Sequence, residues 1–167
     1  MKIKFKSVLS IVLICLMFVA CFSGCKKETP QPEPEPMKLQ EDLYLAVCDT
    51  QGFKVYSQEV TKESSSGIVK GYIATLTSSK IQTDFYEFEN SDYANAALGR
   101  LSEWVSSEYG STAEETVSEG RTDWSFNTEE VYAKAVRVDK YLLYIFCSDI
   151  NYKEQAKTIF EEIAVIG

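Results

Sequence analysis

Between Lys38 and Gly167 the spacing of apolar residues switches repeatedly between a helical and a strand period, and each switch marks an element. Leu39, Leu43, Ala46 and Val47 recur at helical spacing with Gly52 as a stop, which predicts a helix over 38–50. Phe53 to Val60 alternates as a strand, and the Ser64-Ser65-Ser66-Gly67 cluster predicts a turn. Ile68 to Thr77 and Ile81 to Phe88 predict two strands joined tightly through Ser78-Ser79-Lys80. Asn90 or Ser91 suits the N-cap of a second helix, which carries Ala97, Leu101, Trp104 and Val105 on one face and stops at Gly110. Val131 to Val138 and Tyr141 to Cys147 predict a hairpin around Asp139-Lys140. The second of these runs is apolar at every position, as a central strand would be. Asn151 with Glu154 three residues on fits a reciprocal helix cap, and Ala156, Ile159, Phe160 and Ile163 form that last helix's buried face.

The predicted order is α-β-β-β-α, a polar segment over 110–130 with room for one more strand, then β-β-α. This is an α+β fold: an antiparallel sheet with helices packed on one face. Strand, Lys80, aromatic strand and helix are echoed by strand, Lys140, aromatic strand and helix, with Tyr72 matching Tyr132, so a repeated ββα unit is a further expectation.

Ahead of residue 38 the pattern is of another kind. Lys2, Lys4 and Lys6 precede an almost unbroken apolar run, the layout of a secretory signal. Val8 to Phe22 falls short of the roughly 20 apolar residues wanted by a spanning helix. At its end, Phe22-Ser23-Gly24-Cys25 resembles the lipobox of bacterial lipoproteins, in which small residues precede a cysteine that receives diacylglycerol before cleavage. Phe22 departs from the aliphatic residue usual there. Phe18-Val19-Ala20-Cys21 is a competing match with the same departure, and an uncleaved membrane helix is the remaining alternative. The resemblance implies a signal peptide over 1–24, lipid attachment at Cys25 (alternatively Cys21), and anchoring to a membrane outside the cytoplasm. Two or more acyl chains hold a protein durably where one holds it reversibly. Residues 25–37 contain all four prolines of the chain and form an extended, Pro-rich tether. Residues 38–167 are then a single domain, and Cys15 is a small hydrophobe lost with the signal.

Charge narrows the partners. The three lysines above are the only charges before Cys25, leaving 14 of the 17 basic side chains against all 25 acidic ones. Nucleic acid is therefore not an expected partner, because its phosphates must be neutralised by Lys or Arg. The chain has no histidine, which excludes His triads, His-ligated zinc and imidazole bases. No phosphate-cradling glycine loop occurs, and the Asp/Asn spacing of a calcium loop is absent around Glu114-Glu115 and Glu129-Glu130, so neither a cofactor nor a metal is expected.

Several candidate sites remain. Cys48 and Cys147 are the only cysteines of the domain. Export permits a disulfide, but one lies on a helix and the other at a strand end, and the pattern favours two buried free thiols. Trp124 and Phe126, two apart in the polar 110–130 segment, would form a recognition platform beside Arg121 if exposed, and core contacts of a short edge strand if not. Tyr72, Tyr86, Tyr93, Tyr132 and Tyr144 could make a glycan-binding stripe, though filling a half-wet sheet face is the simpler role. Glu87 and Glu89 could be imagined as a hydrolytic carboxylate pair but match a solvated strand end better. The function these features favour is a lipid-anchored extracytoplasmic protein with a small, non-catalytic domain that binds a protein or glycan partner. A small-molecule or envelope-glycan binding module is the alternative, favoured if the fold holds a concave aromatic pocket. A small hydrolase is the remote one.

Overall fold

The computed structural model describes residues 38–58, 66–110 and 112–166; residues 1–37, where the signal peptide and tether are expected, and with them Cys21 and Cys25, lie outside the described residues. The elements are α1 (Glu41–Thr50), β1 (Lys54–Gln58), β2 (Ile68–Leu76), β3 (Ile81–Phe88), α2 (Ser91–Tyr109), β4 (Glu114–Ser118), β5 (Arg121–Asn127), β6 (Tyr132–Val138), β7 (Tyr141–Cys147) and α3 (Lys153–Ile163). All seven strands join one antiparallel sheet in the order β1-β2-β3-β7-β6-β5-β4. The α+β class follows from this arrangement.

The helices do not share one face, as the element order had suggested. α1 and α3 cover one side of the sheet, where Tyr44, Cys48, Ile159 and Ile163 pack on Phe85, Leu143 and Ile145. α2 covers the other, where Ala94, Leu98 and Val105 pack with Trp124, Phe126, Leu142 and Tyr144. The cause lies in the central strands. β3, β6 and β7 place apolar side chains on alternate sides, so both sides need a cover. The repeated ββα unit is not seen either. A rotation that exchanges the antiparallel neighbours β3 and β7 keeps each face of the sheet on its own side, whereas the helices that follow these strands lie on opposite sides.

Local signals set most boundaries. The Asn90 side chain accepts hydrogen bonds from the Asp92 and Tyr93 amides at 3.0 and 3.2 Å, and Gly110 closes α2 in the left-handed region (φ 66°). The face of α2 is rotated from expectation, since Trp104 is 44% exposed and Ala94 and Leu98 are buried instead. α3 starts later than expected: the Asp149 side chain caps a short 3₁₀ turn (Ile150–Tyr152) by accepting from the Asn151 amide at 3.2 Å, and the helix proper begins at Lys153. The polar 110–130 segment holds a hairpin, β4 and β5, turned at Glu119-Gly120 with Gly120 at φ 69°. Every residue of β4 is exposed, as befits a sheet edge.

Candidate functional site

β3 carries Gln82, Asp84, Tyr86 and Phe88 on the side of the sheet that α2 covers. Asp84 lies opposite Ile73 of β2 and Tyr144 of β7 in the strand register. α2 crosses β3, β7 and β6 and leaves the β1–β2 side of this face uncovered, where Tyr56 is 48% exposed. At that border a cleft of about 210 Å³ opens between sheet and helix. Tyr86, Phe88 and Tyr144 give it aromatic walls, Leu101 and Ala97 of α2 form its roof, and Arg100 stands beside them, exposed.

Asp84 and Arg100 are the charged residues among the described, otherwise mostly apolar and aromatic lining, and Asp84 is only 6% exposed. Gln82 Nε2 donates to both of its carboxylate oxygens, at 3.0 and 3.1 Å, and the Tyr86 hydroxyl donates to one at 3.2 Å. Burial raises its pKa to about 6, and those hydrogen bonds hold it from rising further. No ion pair to Asp84 or Arg100 forms with the described residues. The cleft therefore holds a carboxylate in its floor and a guanidinium at its mouth, and neither has a counter-charge among the described residues. Desolvation combined with a concave setting is a mark of functional sites.

The residues singled out in the sequence are dispersed. Trp124 and Phe126 are 1% and 2% exposed, stacked at 6.4 Å beneath α2, with Trp124 Nε1 donating to Ser102 Oγ at 3.2 Å. They are core residues of β5 and form no surface platform. Arg121 alternates with Trp124 onto the opposite side of β5 and pairs with Asp123 there. Cys48 and Cys147 are free and buried. Burial pushes the Cys48 thiol up to about 11, against a hydrogen bond with Tyr44, and burial raises Cys147 as well. Both are therefore protonated and poor nucleophiles at neutral pH. Glu87 points to the α1–α3 side and pairs with Lys140 at 2.7 Å, apart from Glu89 beyond the strand end. Among the described residues no acidic or thiol cluster suits a metal ion.

Of the five tyrosines, Tyr86 and Tyr144 reach the cleft. Tyr72 is on the other side, donating to Glu41 at 2.7 Å, and Tyr132 is buried there. Asp84 was missed. Its signal was an isolated Asp inside the aromatic strand Ile81–Phe88, where acidic residues are disfavoured.

No family model matches the chain, and no curated protein matches it. Among solved structures it is similar to a GTP binding regulator from Thermotoga maritima, with 12% identity and a TM-score of 0.42 over 73% of this chain and 85% of that one. A likeness of that depth assigns no ligand.

Proposed function

We propose that this chain is a lipid-anchored extracytoplasmic binding module whose domain takes the apolar part of a small ligand into the cleft between α2 and the sheet. The observation that carries this reading is the cleft itself: aromatic and aliphatic walls around one buried carboxylate. Burial of Trp124 and Phe126 moves the reading from a protein-binding platform to this pocket, and a concave aromatic site is the feature that favours a small-ligand module. At about 210 Å³ the cleft is smaller than the roughly 300–1,000 Å³ of drug-sized pockets, so the bound group is of single-ring or single-side-chain size. Binding suits this lining better than glycoside hydrolysis, which ordinarily uses two carboxyl groups where Asp84 is the one among the described lining residues. The anchor rests on the Phe22–Cys25 resemblance, with Cys21 as the competing lipid site.

Titration with benzyl alcohol, followed through the methyl NMR signals of Leu101 and Leu142, tests the cleft. Saturable shifts lost in Ala97→Phe, which fills the space under α2, support binding; unchanged methyls in the wild type sink it. Palmitate labelling of the full chain tests the anchor, with loss expected in Cys25→Ser. Loss in Cys21→Ser instead moves the site.

A further inference from the structure

Resting on that reading, we infer that the cleft's ligand is zwitterionic, a free amino acid or an equivalent with an apolar side chain: its ammonium lies at Asp84, its carboxylate at Arg100, and its side chain against Phe88, Leu101 and Leu142.

Three observations lead there. Asp84 has capacity to spare: an ionised carboxylate offers about four acceptor sites, and Gln82 and Tyr86 fill three. The remaining site belongs to a group that lines the cleft. A buried carboxylate without a cation is costly, and a ligand ammonium supplies the missing charge where the low dielectric makes it count most. Arg100 makes the second point. It lines the same cleft, is exposed, and forms no ion pair with the described residues. A simple amine would gain from Asp84 and lose to Arg100, and a simple acid the reverse. A ligand carrying both charges gains from both, and the planar guanidinium fork suits a carboxylate. Size is the third point, because the volume admits a side chain up to a phenyl ring with its head group and little more.

The test uses four probes of one shape class at pH 7.5, read by the Leu101 and Leu142 methyl shifts: L-phenylalanine, phenethylamine, 3-phenylpropionate and benzyl alcohol. L-phenylalanine is expected to bind about tenfold or more tightly than the other three, the gain typical of one added charged hydrogen bond. Asp84→Asn should weaken L-phenylalanine and phenethylamine but not 3-phenylpropionate, and Arg100→Gln should weaken L-phenylalanine and 3-phenylpropionate but not phenethylamine. If benzyl alcohol binds as tightly as L-phenylalanine, the cleft is a binding site and the zwitterion inference falls. If none of the four shifts either methyl, the binding reading falls with it. Arg100 is exposed and Asp84→Asn removes a buried charge, so both variants keep the fold and the comparison stays interpretable.

Discussion

Lifting Asp84 from an ordinary 3.8 to about 6 means that the folded state holds its proton more tightly than the unfolded chain does. Between pH 4 and pH 6 the native protein thus binds more protons, and this residue's contribution to stability falls as pH rises through that window. Above about pH 6 the full penalty is present, about 2–3 kcal/mol from the gap between the two values. Asp84→Asn keeps an oxygen for the Gln82 amide and sheds the charge. Urea unfolding should find the variant more stable than wild type by about 2–3 kcal/mol at pH 8, and the two should converge near pH 4. A constant difference across that range would show that burial does not govern this carboxyl. A residue that lowers stability at neutral pH matches the trade between stability and function usual at binding sites. The thiols give the opposite expectation. Because Cys48 and Cys147 are buried and protonated, iodoacetamide on the native full chain should leave both peptides unlabelled until urea is added.

Secondary structure was legible in the sequence wherever a local rule decided it. Asn90 and Gly110 bound α2 because a side-chain cap and a left-handed glycine act within a few residues. β7 declared itself central through an apolar residue at each position. The side on which each helix packs was not legible, because it depends on pairing between β3 and β7, about sixty residues apart. The strand reading of Trp124 and Phe126 was legible in part: two apart, they fit the core contacts of a short strand as well as a platform, and α2, supplied from elsewhere, decides that their face is a core. Asp84 escaped because its depth is a product of Ile73, Tyr144 and α2, none of them its neighbours in sequence. Two substitutions separate these levels. Trp124→Ala should destabilise the domain by about 3–5 kcal/mol in urea unfolding, as for a fully buried large aromatic, where a surface platform residue would change it by under about 0.5. Gly67 is left-handed (φ 65°), and a Cβ there would enter the Tyr93 ring, so Gly67→Ala should lower the melting temperature by several degrees.

Among the described residues the sheet ends in two unpaired edges, β4 and β1. β4 exposes Glu114 and Glu115 at the first, and β1 exposes Lys54 and Tyr56 at the second. Acidic side chains on an edge discourage a second copy from adding its own strand. Glu114→Thr with Glu115→Val should therefore promote concentration-dependent self-association, measured by light scattering, while the wild-type chain stays at a lower mass under the same conditions. Sheet order has a separate consequence for how the chain is made. β7 is the last strand in sequence, yet it sits in the middle of the sheet, between β3 and β6. A chain emerging from its N-terminus presents β1-β2-β3 with one bare side and β4-β5-β6 with another, and neither half can be completed by its own neighbours. Both remain adhesive until residues 141–147 arrive to zip them together. The hazardous interval therefore opens when β3 is complete and closes only when β7 has appeared, about sixty residues of synthesis later.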